Sequence, residues 1–257
     1  MSFGLDKIRK EEKALDVERD LMNKALARLG GADKKPEIAV TTNTRRQGRL
    51  IFGLDLTSSR QTTLDRAREA TSAMFETIRD MGGIAVKLIY FRGMWECRES
   101  KWYDDPAPLS RSMFDLSCRA GGTQIARLLH RALEEDKAYS GVVYIGDSCE
   151  EHEDELLALA RKFGRKSIPL FMFHERPIGG EAEARAVFEK MAELSGGAYV
   201  DFKMDSAVVL RELLSCIAAF SAAGRKGVEQ VAMPTTAAAR QLRSYLALGA
   251  GDPKQLK

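Results

Sequence analysis

Asp55, Thr57 and Ser59 stand at alternate positions directly after the apolar run Leu50-Ile51-Phe52-Gly53-Leu54. A short apolar run bounded by turn signals reads as a buried parallel strand. Polar groups just past such a strand lie where open α/β sheets hold their ligands. One carboxylate and two neutral hydroxyl oxygens in one crevice can hold a hard divalent cation such as Mg²⁺. Two further segments offer matching groups. Thr123 follows Gly121-Gly122 at a helix start, and Asp147 ends the apolar run Val142-Val143-Tyr144-Ile145-Gly146. If the strands are parallel, all five residues share one sheet edge. Their oxygens, with waters, then give the near-octahedral shell that Mg²⁺ demands at about 2.0–2.1 Å, and Mn²⁺ or Ca²⁺ can use the same donors. Two carboxylates roughly neutralise a dication. If they act through waters, the inner shell is mostly neutral hydroxyl, the metal stays electrophilic, and a carboxylate from another molecule can complete its shell.

Each of these residues taken alone has an ordinary explanation: Ser and Thr cap helices, and a strand-end Asp caps a turn. The acidic run Glu150-Glu151-His152-Glu153-Asp154-Glu155 suits the dipole of a first helical turn, with Glu150 an outer group of the metal site at most, and Ser148 with Glu151 fits a capping box. His130, His152 and His174 are isolated from any nucleophile motif. Trp95, Trp102 and Tyr103 either pack an edge hairpin or form a contact surface. Neither G-x-x-x-x-G-K-[ST] nor G-x-G-x-x-G occurs, so nucleotide binding has no support.

The elements that must position these groups alternate along the chain. Residues 5–29 predict a charged helix with a seam at Ile8, Leu15, Met22 and Leu29, followed by a polar linker over 31–47. Strand 48–55 leads to a helix near 63–81, strand 84–91 and an antiparallel edge strand at Met94-Trp95-Glu96-Cys97, since so short a connection cannot join parallel strands. An irregular loop with a short helix near Met113 precedes the helix after Thr123. Strand 141–147, helix 150–163, strand 168–173, helix 181–195, strand 198–201 and helix 205–222 complete the core. This alternation predicts a doubly wound, mainly parallel α/β sheet with one antiparallel edge strand. Three regions follow: an N-terminal helix and linker (1–47), the sheet domain (48–223), and a tail (224–257) with a break at Gly224-Arg225-Lys226-Gly227 and a short helix near 235–248.

Composition narrows the class. A chain of 257 residues with 44% hydrophobic and 30% charged residues is ordinary for a globular protein, and a net charge of +3 gives no nucleic-acid signature. No run of about 18 apolar residues suggests a membrane span, and Met1-Ser2-Phe3-Gly4-Leu5-Asp6-Lys7 turns charged too soon for a secretory signal. A cytoplasmic location is expected. Cys97, Cys118, Cys149 and Cys216 are scattered, without zinc spacing, and are expected as reduced thiols.

Asp55-Leu56-Thr57-Ser58-Ser59, Gly121-Gly122-Thr123 and Gly146-Asp147 together resemble the von Willebrand factor A (vWA) domain with its metal-ion-dependent adhesion site, over about residues 48–223. The resemblance implies that Thr57, Ser59 and Thr123 supply hydroxyls while Asp55 and Asp147 bind the metal directly or through water. It also implies the doubly wound sheet. Thr57 replaces a commoner Ser, Gly146-Asp147-Ser148 stands for Thr-Asp-Gly, and Arg60 stands where several relatives have Met. Arg60 brings a cation that would weaken the metal site or greet an acidic partner.

The expected function is therefore a non-enzymatic, metal-dependent module that captures an Asp or Glu of a partner protein. Intracellular bacterial relatives imply a chaperone-like complex with an AAA-type ATPase. One alternative is a Mg²⁺-dependent hydrolase with Asp55 as nucleophile, although the general acid such a loop needs two residues on is replaced by Thr57. Another is a scaffold acting through its helical arms, 5–29 and 235–248.

Overall fold

Gly48–Asp55 (β1), Ile84–Arg92 (β2), Glu96–Tyr103 (β3), Val142–Gly146 (β4), Leu170–Arg176 (β5) and Tyr199–Lys203 (β6) form a single sheet in the order β3-β2-β1-β4-β5-β6. β3 runs antiparallel to β2, and all other pairs are parallel. This is the expected mainly parallel sheet with one antiparallel edge. The computed structural model describes residues 48–61, 64–65, 83–176, 182–203 and 207–248. The helix expected over 5–29, the linker over 31–47, nearly all of the helix over 63–81 and the last tail residues lie outside them.

The central strands are continuous apolar runs because both faces are covered. Leu50, Phe52 and Leu54 of β1, with Val143, Ile145, Phe171 and Phe173, point to one face. Helices Ala207–Gln230 and Ala237–Leu248 cover it, joined by Leu109 and Met113 of the helix Pro106–Phe114. Ile51, Ile89, Val142, Tyr144 and Met172 point to the other face, under Ile125–Leu133, Glu153–Arg165 and Ala182–Ser195. In chain order these six helices are α1 (106–114), α2 (125–133), α3 (153–165), α4 (182–195), α5 (207–230) and α6 (237–248).

Several boundaries differ from the sequence reading for local reasons. Met94 and Trp95 form the turn between β2 and β3, so the edge strand begins later and runs to Tyr103. Gly93 takes φ +61°, the left-handed conformation that this turn requires. Asp105 caps α1 by accepting from the Ala107 N–H at 2.9 Å. The expected break at Gly224-Arg225-Lys226-Gly227 is a local kink at its first residue, after which the chain is helical. The backbone kinks at Ala223 and Gly224, where Gly224 has φ +61°, and then resumes as helix to Gln230. The expected separate tail contributes α6, whose Ala239, Leu242, Tyr245 and Leu246 are buried in the same core as β1.

Glu212 of α5 fixes the entry to α6. Its carboxylate accepts from the N–H groups of Thr235 and Thr236 at 2.8 and 2.9 Å and from both hydroxyls at 2.7 Å. Partial burial alone would raise the Glu212 carboxyl, but these hydrogen bonds outweigh it and hold the group at about 2. A depressed folded-state pKa means stability that is present above the unfolded carboxyl value, about 4.3, and lost as pH falls towards 2. Glu212→Gln is expected to lower the melting temperature at pH 7 by roughly 2–4 °C, corresponding to about 1 kcal/mol for a partly solvated carboxylate. Thermal melts at decreasing pH should show the gap between variant and parent narrowing below about pH 4.

Candidate metal centre

β1 and β4 are neighbours, yet the chain leaves β1 towards β2 on one side and β4 towards β5 on the other. Their carboxyl ends therefore open a crevice at a topological switch point. Asp55 is the last residue of β1. The register Leu54 with Ile145 places Asp147 just past the adjacent tip. Thr57 and Ser59 flank the start of a one-turn 3-10 helix over Ser58–Arg60. The loop carrying Thr123 is held over the strand tips by backbone bonds: Arg119 N–H donates to Leu56 O at 3.0 Å, and Gly93 N–H donates to Arg119 O at 3.3 Å.

Thr57, Ser59, Thr123 and Asp147 line one open cleft of about 420 Å³, with Gly121 and Glu150 beside them. Asp55 lies beneath, 1% exposed, and its Oδ1 accepts from the Thr57 N–H at 2.8 Å. Thr57 Oγ1 and Ser59 Oγ are 3.2 Å apart. Asp55 and Asp147 are close enough for each carboxylate to act on the other. The five residues singled out from the sequence thus come together at one edge.

The ordinary capping explanation accounts for only part of this arrangement. Asp55 Oδ1 does close a turn on Thr57. The Thr57 hydroxyl, however, caps nothing on the turn that follows it. The residue that enters α2 is Gln124, and the Thr123 oxygen accepts from the Glu150 N–H at 3.0 Å instead. Above all, Asp55 Oδ2 and Asp147 Oδ1 are buried and accept no hydrogen bond from the described residues. Burial pushes the Asp55 carboxyl up to about 6, with Asp147 adding to the rise and the Thr57 bonds and Arg60 opposing it. Two buried carboxylate oxygens with no donor, beside three hydroxyls, are a donor set suited to a hard dication. Among the described residues no group of three or more His, Cys, Asp or Glu is placed to hold a metal, so any cation here depends on hydroxyls.

Two expectations need correction. Ser148 and Glu151 do not form a capping box. α3 begins at Glu153 with His152 at its cap, and Glu151 reaches across to accept from the Ile125 and Ala126 N–H groups at 2.5 and 2.8 Å, closing the N-terminus of α2. Arg60 does not meet a partner at the surface. It is 3% exposed and paired with Glu175 of β5.

Other residues at the site were missed. His174, read as isolated, is fully buried between Asp147 O, 3.3 Å from Nε2, and the Tyr199 hydroxyl, 3.0 Å from Nδ1. The carbonyl accepts only, so Nε2 carries a proton and donates to it. His174 thereby braces the backbone of Asp147. Glu175 was passed over, although a His-Glu pair ending an apolar strand is itself a signal. A Cβ on Gly146 would lie 2.3 Å from the Tyr144 hydroxyl, so the end of β4 leaves room for that ring. Trp95 is 81% exposed on the β2–β3 turn, whereas Trp102 and Tyr103 are half-buried.

The sequence matches no protein-family model and no curated protein. Its structure is similar to a von Willebrand factor type A protein from Catenulispora acidiphila, with TM-score 0.53, 16% identity, and a match over 69% of this chain and 43% of that one. It is similar to the VWA domain of SpRpn10, with TM-score 0.50, 14% identity, and 63% and 94% of the two chains covered. This chain has the vWA fold. The pilus adhesin SpaC from Lactobacillus rhamnosus GG is also similar, with TM-score 0.53 and 10% identity over 67% of this chain and 30% of that one. Within the vWA sheet, the switch-point crevice of this chain is the one that holds Asp55, Thr57, Ser59, Thr123 and Asp147.

The two glycines before Thr123 meet different obstacles. A Cβ on Gly121 would lie 2.1 Å from the Gly93 carbonyl oxygen, which is backbone. A Cβ on Gly122 would meet only the Glu150 carboxylate tip, at 2.8 Å, and that side chain can swing away. Gly121→Ala is therefore expected to destabilise the fold by about 1–3 kcal/mol, and Gly122→Ala by well under half as much. Chemical denaturation of the two variants tests this order.

Proposed function

We propose that this chain is a divalent-metal-dependent protein-binding module, in which Asp55, Thr57, Ser59, Thr123 and Asp147 hold Mg²⁺ or a similar dication that captures an acidic residue of a partner protein. The observation that carries the reading is the pair of buried, donorless carboxylate oxygens on Asp55 and Asp147 at the foot of an open cleft. Asp55 would be held in register by Thr57 N–H, and Asp147 by the His174 brace on its backbone. Thr123 would present its oxygen from a loop fixed by Glu150 N–H. A bound dication would supply the positive charge to which an incoming carboxylate attaches.

The rim supports a protein partner. Trp95 and Met94 project from the turn beside Gly121, and both are well exposed. Arg98 and Arg119 on the same rim are largely exposed and share Glu96 with Arg92. An apolar tip flanked by cations suits a segment that carries both acidic and apolar side chains. The AAA-type ATPase partner suggested by the sequence resemblance belongs to this proposal. A hydrolase built on Asp55 would need a general acid where Thr57 stands, and Mg²⁺-dependent phosphatase assays separate the two readings.

A hundredfold excess of Mg²⁺ over its Kd is expected to raise the melting temperature by roughly 5–10 °C, and EDTA to reverse the shift. Asp55→Ala should remove both that shift and divalent-dependent partner capture while leaving the circular dichroism spectrum unchanged. In EDTA, Asp55→Asn should be at least as stable as the parent, because it removes a buried charge with an unpartnered oxygen. Partner capture that is equally strong in EDTA and in Asp55→Ala would sink the proposal.

A further inference from the structure

Arg60 and Glu175 are not among the five donors, yet both are almost wholly buried at the same sheet edge, with side chains 4% and 3% exposed, and they form an ion pair. The topology fixes where this pair lies. Arg60 follows the Thr57-Ser58-Ser59 turn after β1, and Glu175 is on β5. β4 sits between β1 and β5, so a bridge from Arg60 to Glu175 spans the tip of β4, where Asp147 stands. His174 pairs with Gly146, so Glu175 lies level with Asp147 along the strand direction. The guanidinium interacts with both Asp55 and Asp147.

Three buried carboxylates, of Asp55, Asp147 and Glu175, and one guanidinium therefore share this edge, leaving a formal charge of two negatives. Removing Glu175 would leave one negative, with the Arg60 charge then set against the carboxylates of the donors themselves. Removing Arg60 would leave three. Glu151 is held on the N-terminus of α2.

Resting on the metal reading above, we infer that Glu175 is a positioning and charge-setting residue for that site: by pairing with Arg60 it cancels a cation that would otherwise oppose the dication, although it binds no metal itself. The relation between charge and affinity gives the two partners opposite signs. A purely structural role predicts the same sign for both, since breaking a buried pair from either side loosens the loop.

Isothermal titration of the full chain with MgCl₂, and separately with MnCl₂, tests this at pH 8. Glu175→Gln is expected to weaken binding at least tenfold, about 1.4 kcal/mol. Arg60→Met is expected to leave affinity unchanged or tighten it. Arg60→Met combined with Glu175→Gln removes both charges and should return affinity to within about threefold of the parent. The double variant keeps the parent's net charge at this edge and strands neither member of the pair, so it is read together with whichever single variant folds. Equal weakening in both single variants, unchanged affinity in Glu175→Gln, or a double variant tenfold or more weaker than the parent would overturn the inference while leaving the metal site standing. No saturable binding of either metal by the parent chain would overturn both.

Discussion

Two carboxylates of like charge, each with one buried oxygen that no donor reaches, are the constraint on which this molecule's business end depends. A buried polar oxygen without a partner costs free energy, and a buried charge costs more. Neighbouring β-strands bring Asp55 and Asp147 together at the one place in a doubly wound sheet where the connections diverge and leave a crevice. The ladder cannot relax to separate them, because β1 is paired along its length with β2 and over Ile51–Leu54 with β4. What the edge can do is surround them with compensating groups. Thr57 N–H satisfies one Asp55 oxygen, and the Arg60 guanidinium lies near both carboxylates.

The loops over this edge are held by backbone rather than by long side chains. Leu56 N–H donates to Phe91 O, Arg119 N–H to Leu56 O, and Gly93 N–H to Arg119 O, so the ends of β1 and β2 and the Thr123 loop form one hydrogen-bonded stack. Gly121 lies against Gly93 so closely that neither loop can move without the other. Such support places hydroxyls with little conformational freedom left, which is what a small cation with strict geometry requires. It also joins the Thr123 loop mechanically to the exposed Trp95 turn, and the Arg127 side chain adds a bond to Trp95 O at 3.0 Å.

How much of this was legible in the sequence follows from how local each feature is. The continuous apolar runs of β1, β4 and β5 showed a buried parallel sheet, and the short connection at Gly93 showed the antiparallel edge, although the strand starts at Glu96 rather than Met94. The five candidate residues could be singled out because their spacing after strands and glycines is local, and the structure adds that they meet at one edge. What the sequence hid was long-range. Glu151 looked like the cap of its own helix, yet it serves α2, because the fold brings the 148–152 loop over that N-terminus. Arg60 looked like a surface cation because its partner, Glu175, lies 115 residues away and only the sheet order brings them together. α6 looked like part of a tail because its Ala-rich pattern is weakly amphipathic. Its burial comes from packing against the core that holds β1, a contact between distant segments that the local pattern does not show.

The displaced Glu151 also bears on what the crevice can attract. The N-terminus of α2 follows Thr123 directly, and a helix N-terminus carries a partial positive charge with free N–H groups that favour anions. Left open, it would repel a dication near Thr123 and offer an incoming carboxylate a competing place to bind. Glu151 occupies its Ile125 and Ala126 N–H groups and sets a negative charge on that end. Burial raises the Glu151 carboxyl, and the two N–H donors act against that rise. The helix dipole is cancelled where it begins, just as Glu175 faces Arg60 on the other flank. Two positive features beside the five candidate residues, the α2 N-terminus and Arg60, are thus each faced by a carboxylate from outside that set. The negative charge left over belongs to Asp55 and Asp147, so the crevice as it stands favours a cation over an anion.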